Sequence, residues 1–220
     1  MIKLQNLSKD YFVGNNSSRV LFDINLQIFS GEFVALLGAS GSGKSTLMNI
    51  IGLLDKPTSG HYNLDGEDLS TYTPEQLSVL RNTKFGFIFQ NFSLLNQYPI
   101  WYNVALPLHY STVKKNMYKP MAVKVLKNVG LKKYADYYPN MLSGGQQQRV
   151  AIARALITKP AIILADEPTG SLDSKNSKKI TDYLVYLNKE YKTTVLLITH
   201  DKSVADIATK KIIIKDGRLF

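Results

Sequence analysis

Residues 33–45 read FVALLGASGSGKS, a continuous apolar run followed by a segment rich in glycine and serine. Gly38, Gly43, Lys44 and Ser45 occupy every fixed position of the pattern G-x-x-x-x-G-K-[ST]. The apolar run has the composition of a strand buried on both faces, and we expect a helix over 45–54. Strand, glycine loop and helix in this order predict a phosphate-binding loop. Binding of a nucleoside triphosphate is therefore the first functional expectation.

The groups that this loop offers suit phosphate. Glycine lets the backbone turn tightly and aim its N–H groups at one anion, and the helix N-terminus adds partial positive charge. We expect Lys44 to reach the β- and γ-phosphates as a catalytic cation, and the Ser45 hydroxyl to bind Mg²⁺. The predicted nucleotide-binding residues of the loop are Gly38, Ala39, Ser40, Gly41, Ser42, Gly43, Lys44, Ser45 and Thr46.

A second apolar run ends in two carboxylates. Residues 161–165 precede Asp166 and Glu167, and ligands of open α/β folds bind at the carboxyl edge of the parallel sheet. We predict that Asp166 holds Mg²⁺ and that Glu167 polarises the water that attacks the γ-phosphate. The two roles need two residues, because a carboxylate bound to a metal is a poor base.

Composition limits the class of protein. Of 220 residues, 45% are hydrophobic and 20% are charged, which is typical of a folded globular chain and excludes a disordered one. The absence of cysteine excludes disulfides, thiolate metal sites and cysteine nucleophiles. The net charge of +10 indicates an anionic partner, which could be nucleotide, nucleic acid or a membrane surface.

The front of the chain has the pattern of antiparallel strands. Phe22, Ile24, Leu26 and Ile28 alternate with polar residues, which predicts a half-buried strand. Tyr62 and Leu64 repeat the alternation, and the Asp65-Gly66 pair that follows predicts a hairpin turn.

Elsewhere the pattern is that of an α/β fold with a parallel core. Continuous apolar runs at 33–37, 162–165 and 195–199 alternate with helical spacing, as at Ile180, Tyr183, Leu184 and Leu187. About 91–154, rich in tyrosine, lysine and asparagine, is predicted to be an inserted helical subdomain. We expect one domain over 1–220, with 1–90 and 155–220 as the catalytic core and its antiparallel β-subdomain.

A second glycine pair lies at a predicted helix start. Residues 142–146 read LSGGQ, in which Ser143 and Gln146 form an S-x-x-Q capping box. The cap does not explain Gly144 and Gly145, since glycine is a poor helix former. Glycine here would let another group approach the helix N-terminus, and an anion is the natural candidate.

With these motifs in this order, the sequence resembles the ATP-binding subunit of an ABC transporter over nearly the whole chain. LSGGQ resembles the family's signature motif, and GASGSGKS and IILADE resemble its Walker A and Walker B motifs. Single positions also resemble the family. Gln90 is similar to its Q-loop glutamine, and Ser171-Leu172-Asp173 is similar to its D-loop. His200 is similar to its switch histidine, and Tyr11 to the aromatic residue that stacks on adenine. The resemblance implies a RecA-like P-loop NTPase core with ATP and Mg²⁺ as ligands.

The resemblance also implies how the motifs combine. Two copies of the chain would close head to tail around two ATP molecules, so that Ser143, Gly144, Gly145 and Gln146 of one copy meet the γ-phosphate held by Lys44 of the other. Gln90 would complete the Mg²⁺ shell and sense the membrane subunit. His200 would contact the γ-phosphate and orient Glu167 with its water.

Within the family, the sequence resembles the branch that serves lipoprotein release, macrolide and antimicrobial-peptide export, and the related cell-division complex. This implies an integral membrane permease as partner and no nucleic acid. The apolar runs are too short to span a bilayer, and the N-terminus lacks an apolar export signal. We therefore expect a peripheral protein at the cytoplasmic face of the membrane, in contact with the membrane through the permease.

Two alternatives stay open at this point. A soluble ABC-type ATPase acting on nucleic acid or ribosomes would suit the charge of +10, but the long coiled-coil insertion or second cassette of such proteins is missing from the sequence. A P-loop kinase or GTPase would leave LSGGQ unexplained, and the guanine motif N/T-K-x-D is absent. For Arg149 and Arg154, we weigh phosphate contact against salt bridges.

Overall fold

The computed structural model describes residues 1–14 and 16–220. Its strands, in chain order, are β1 (Ile2–Val13), β2 (Asn16–Ile28), β3 (Phe33–Leu37), β4 (Ser59–Leu64), β5 (Glu67–Asp68), β6 (Phe85–Ile88), β7 (Ile162–Asp166), β8 (Thr194–Ile198), β9 (Lys210–Lys215) and β10 (Arg218–Leu219). Its α-helices are α1 (Lys44–Ile51), α2 (Pro74–Lys84), α3 (Ile100–Ala105), α4 (Tyr118–Asn128), α5 (Gly144–Leu156), α6 (Ser174–Tyr191) and α7 (Lys202–Ala205). Short 3₁₀ segments cover Leu69–Thr71, Leu106–Tyr110, Lys115–Met117, Lys132–Tyr134 and Pro139–Met141.

The strands form two sheets. The first is antiparallel, in the order β2-β1-β4-β5. The second has the order β10-β9-β3-β8-β7-β6 and is parallel except for the terminal β10. The predicted α/β class, with a mostly parallel core and an antiparallel N-terminal part, is confirmed.

The parallel strands are buried on both faces, as their continuous apolar runs predict. Alternate residues of β8 enter different cores: Val195 and Leu197 join one cluster, and Leu196 and Ile198 join the other. One cluster lies under α3 to α6, and the second joins the parallel sheet to α1 and the antiparallel sheet. A strand covered on both sides has no polar face, so the two-residue alternation is lost from its sequence.

The alternation predicted for β2 holds for three of its four residues. Ile24, Leu26 and Ile28 are buried, but Leu21 is buried in place of the expected Phe22. Asp23 has a φ of 48°, and the β1–β2 register shifts beside it. This β-bulge inserts one residue and reverses which side chains face the core.

Local turn and cap signals are confirmed. Asp65 and Gly66 both have positive φ, 55° and 93°, as a two-residue hairpin between β4 and β5 requires. Ser143 and Gln146 form the predicted capping box at the start of α5. The helix after the glycine loop is shorter than the expected 45–54. It ends at Ile51, whose carbonyl accepts a hydrogen bond of 2.7 Å from the Tyr62 hydroxyl, and Leu53 has a φ of 59°.

The segment predicted as a helical subdomain contains α3, α4 and most of α5. Its apolar residues share one cluster with the neighbouring face of the parallel sheet: Leu126 and Val150 lie in the same core as Ile163 and Val195. The limits of this subdomain, 91 and 154, stay a prediction. Helix α5 continues to Leu156, beyond the expected end of the subdomain at 154. Within the described ranges 1–14 and 16–220, no helix combines the length and hydropathy of a membrane span.

Asn103 on α3 holds the turn that follows β6. Its side chain is fully buried; Oδ1 accepts from Leu95 N at 2.7 Å, and Nδ2 donates to the carbonyls of Leu95 and Tyr98 at 3.1 and 3.0 Å. Without this amide, the N–H and carbonyl of Leu95 and the carbonyl of Tyr98 would lose the side chain that ties the turn to α3.

We expect Asn103→Leu to lower the free energy of unfolding by about 1–3 kcal/mol, because the turn would lose three hydrogen bonds to a fully buried side chain. Urea titration followed by circular dichroism measures this. The exposed Asn140 is the control, and Asn140→Leu should change stability by less than about 0.5 kcal/mol. Equal effects of the two substitutions would contradict the role of Asn103.

Candidate active site

The glycine loop folds back over the lysine that follows it. Gly41 and Gly43 have φ of 77° and 102°, which side-chain-bearing residues rarely adopt. Lys44 Nζ donates to the carbonyl oxygens of Gly38 and Ala39, at 2.9 and 2.7 Å. The loop thus holds its own ammonium group at its centre.

Packing explains two of the loop's glycines, and one polar group of the loop lacks a partner. A Cβ at Gly38 would collide with the Ile214 carbonyl, and one at Gly43 would lie 2.9 Å from Leu21 Cδ2. The Ser42 hydroxyl is buried and has no hydrogen-bond partner among the described residues. An unpaired buried hydroxyl in a phosphate-binding loop fits an oxygen ligand there.

Asp166 ends β7 and faces this loop. Burial raises the pKa of its carboxyl group, and repulsion from Glu167 adds to the rise; the Lys44 ammonium and a hydrogen bond from Ser45 oppose it. The Ser45 hydroxyl and the Asp166 carboxylate, the predicted metal ligands, lie on the wall of the same cavity.

Glu167 and His200 are hydrogen-bonded to each other. Glu167 Oε1 accepts from the His200 backbone N–H at 3.0 Å, and the Nδ1 atom of the ring lies 2.7 Å from the same oxygen. Thr199 Oγ1 lies 3.4 Å from the other carboxylate oxygen. Glu167 has a φ of 45°, and its N–H donates to Ile198 O at 2.9 Å. The predicted base thus leaves its strand in a strained conformation that strand β8 and the residues after it stabilise.

One cavity of about 560 Å³ gathers most of the predicted site. Its wall is formed by Val20, Ser40, Gly41, Gly43, Lys44, Ser45, Thr46, Gln90, Asp166, Glu167 and His200. Gln90 comes two residues after the end of β6, and its Nε2 would lie 3.0 Å from a Cβ added to Gly170. Val20 was missed because an isolated valine in a strand carries no sequence signal for a ligand.

Tyr11 lies beside this cavity but does not line it. Its hydroxyl donates to Asp55 Oδ2 at 2.8 Å, and the Lys9 ammonium lies 4.8 Å from its ring centroid. Burial raises the pKa of the Tyr11 phenol, and the hydrogen bond to Asp55 adds to the rise. The ring is 38% exposed. Its predicted stacking on adenine stays a prediction.

None of residues 143–146 lines the cavity either. Ser143 is exposed and caps α5, and Gln146 is held in the same capping box. A Cβ at Gly145 would lie 2.9 Å from Asn176 Cγ, so the group that approaches this glycine closely belongs to the same chain. A Cβ at Gly144 would make only ordinary contacts, 3.8 Å from Leu172 and Phe92. This packing gives Gly145 a structural reason within the chain, and the expectation that residues 143–146 meet the γ-phosphate held by a second copy stays a prediction.

Three polar side chains of α5 bind backbone carbonyls elsewhere in the chain. Gln148 is fully buried and its Nε2 donates to Pro168 O, next to Glu167, at 2.7 Å. Arg149 Nη1 donates to Val129 O at 3.0 Å, and Arg154 Nη2 to Phe92 O at 2.8 Å. The salt bridges weighed for the two arginines are absent from the described residues. Sequence could have flagged Gln148, because a glutamine among apolar helix positions needs a buried partner.

The chain is similar in sequence to proteins of the ABC transporter family. The sequence model of the ABC transporter family matches residues 21–170. YknY of Bacillus subtilis, an uncharacterized ABC transporter ATP-binding protein, is 49% identical over 219 residues, which cover 100% of this chain and 95% of YknY. The macrolide export ATP-binding/permease protein MacB of Syntrophobacter fumaroxidans is also 49% identical, but this chain spans only 31% of its length.

Solved structures agree with these sequence matches. The dimeric ATP-binding cassette MJ0796, in a post-hydrolysis state bound to ADP and phosphate, aligns with a TM-score of 0.91 at 44% identity, over 100% of this chain and 96% of that one. The protein cbiO1 of Clostridium perfringens, part of the ABC transporter complex cbiONQ, aligns with a TM-score of 0.86 at 28% identity, over 100% of this chain and 86% of cbiO1. The chain therefore belongs to the ABC transporter family, as an ATP-binding and ATP-hydrolysing member.

Proposed function

We propose that two copies of this chain close head to tail around two ATP molecules, and that closure and hydrolysis drive a membrane permease. The observation that carries the proposal is the separation of the predicted site into two parts. The glycine loop, the carboxylates and His200 line one cavity, whereas residues 143–146 lie outside it. A second copy would bring its own α5 N-terminus to the open side of that cavity. The dimeric form of the similar cassette MJ0796 supports this arrangement.

Mg²⁺ is expected to bind together with the nucleotide. Ser45, Asp166 and Gln90 line the cavity and offer hydroxyl, carboxylate and amide oxygens, the hard donors that Mg²⁺ prefers. In the described parts of the chain, no three His, Asp or Glu side chains come together as a metal site. Mg²⁺ is commonly bound by one or two carboxylates together with substrate phosphates, so this donor set fits Mg²⁺ with ATP. When bound, the ion neutralises phosphate charge.

The chain's own residues would carry the hydrolysis step. Lys44 would exchange its bonds to the loop carbonyls for phosphate oxygens and stabilise the negative charge of the transition state. Glu167 would accept a hydrogen bond from the attacking water and orient it. His200, already bound to Glu167, would keep that carboxylate aimed at the water and donate to the γ-phosphate. Tyr11 would stack on adenine from the side of the cavity.

We assign the partner and location by similarity. The permease would be an integral membrane protein of the export or release type, acting on a peptide, lipoprotein or antibiotic; the identity shared with MacB, a macrolide export protein, favours this branch. The chain would lie at the cytoplasmic face of the membrane, bound through the permease. Nothing in the comparisons favours nucleic acid as a partner.

Glu167→Gln should bind ATP but hydrolyse it about 10²- to 10⁴-fold more slowly, because the amide cannot act as a base. Phosphate release measures turnover, and size-exclusion chromatography with ATP should find the variant as a stable dimer. The exposed Glu190 supplies the control, since Glu190→Gln should turn over like the wild type. Near wild-type turnover of Glu167→Gln would contradict the assigned role.

Mixing two inactive variants tests the head-to-tail arrangement. Lys44→Ala and Ser143→Glu should each be almost inactive alone. When they are mixed, turnover should recover toward about a quarter of the wild-type value, since half of randomly paired dimers are mixed and each has one complete site. If each copy enclosed its nucleotide alone, mixing would restore nothing. A mixture of Lys44→Ala with Glu167→Gln is the control, because both substitutions act on the same wall of the cavity.

A further inference from the structure

Arg154, in the last turn of α5, binds the loop that follows β6. Its Nη2 donates to Phe92 O at 2.8 Å, and its Nη1 donates to Ser93 O. The planar guanidinium therefore spans two consecutive carbonyl groups, which a lysine ammonium on a flexible stem cannot reproduce. The side chain is half-buried.

No carboxylate among the residues that the structure describes forms an ion pair with Arg154. Burial lowers the pKa of the guanidinium to about 10. A partly desolvated charge with only carbonyl partners is an expensive way to stabilise a fold. Its geometry, which matches two carbonyls at once, points to a positioning role.

The loop needs an external support. Phe92 and Ser93 have φ of 58° and 48°, and two successive left-handed residues other than glycine give a strained backbone. Ser93 N donates to Asn91 O at 2.6 Å, a bond within the loop itself that does not connect it to the rest of the fold. The Arg154 contacts connect it to a helix 61 and 62 residues away in sequence.

The supporting end of α5 is itself fixed to β6. A Cβ at Gly86 would lie 2.5 Å from Ala155 O, so helix and strand backbones approach closely beside Arg154. In sequence, Gln90 lies between β6 and the two residues whose carbonyls Arg154 binds, Phe92 and Ser93. Gln90 also lines the cavity. Phe92 also faces the start of α5, since its Cζ would lie 3.8 Å from a Cβ on Gly144.

We propose that Arg154 is a positioning residue that fixes the backbone at 92–93 and thereby holds Gln90 at the cavity. This inference rests on the role proposed above for Gln90 in ATP hydrolysis. Arg154 touches neither substrate nor reacting atoms, and it acts through the loop. Loss of the two Arg154 hydrogen bonds should therefore lower turnover much more than it lowers nucleotide affinity.

A double-mutant cycle with Gln90 tests the inference. Arg154→Met should lower kcat about tenfold and leave the KM for ATP within about twofold, and Arg154→Lys should fall between Arg154→Met and wild type. In a Gln90→Ala background, neither Arg154 substitution should lower kcat further. Arg149→Met is the matched control: Arg149 lies on the same helix and donates to Val129 O, away from the loop, so its effect should multiply with that of Gln90→Ala.

Hydrogen exchange of nucleotide-free protein gives a readout independent of activity. Arg154→Lys, which keeps the charge and most of the packing, should speed exchange of the amides at 91–95 and leave β6 and α5 unchanged. Unchanged exchange at 91–95, or multiplicative effects of Arg154→Lys and Gln90→Ala on kcat, would overturn the inference. Wild-type turnover of Gln90→Ala alone would instead refute the role proposed for Gln90, while the exchange measurement still decides whether Arg154 holds the loop.

Discussion

Hydrogen bonding between parallel strands dominates the architecture of the site. The strands β3, β8, β7 and β6 are neighbours in this order, and their paired residues keep their carboxyl ends together. β3 leads into the glycine loop, β8 into Thr199 and His200, β7 ends at Asp166 before Glu167, and β6 is followed by Gln90. Residues distant in sequence therefore meet at one edge, because parallel strands all end on the same side of the sheet.

Two apolar cores hold this edge in place. Each central strand contributes alternate side chains to the core under the helices and to the core under the antiparallel sheet. The ends of the strands are therefore fixed from both faces of the sheet. The strained φ of Glu167 and the tight loop at 92–93 depend on this rigid support.

Helix α5 connects three parts of the chain that the proposed function uses. Its first turn carries Ser143, its middle carries Gln148 bound to Pro168 O beside Glu167, and its last turn carries Arg154 bound to the loop after Gln90. The helix therefore joins its own N-terminal residues to the segments that carry Glu167 and Gln90.

Chemistry that depends on contiguous residues could be predicted from sequence. The loop 38–46, the carboxylates after β7, the capping box of α5 and the Asp65-Gly66 turn each need only neighbours in the chain, so spacing and residue type suffice to predict them. The resemblance to a family supplied Gln90, Tyr11, His200 and the dimer, which spacing alone could not. Phe22 was wrongly expected in the core because a bulge depends on how two strands pair.

What sequence could not give depends on contacts between distant segments. That Asn176 packs against Gly145 and that Arg154 binds two carbonyls 61 and 62 residues away both follow from how helices and strands stack. Every residue has the same backbone carbonyl group, so the sequence does not indicate which carbonyl a given side chain will bind. Local hydrogen bonds determine the elements, and packing determines which of their ends meet.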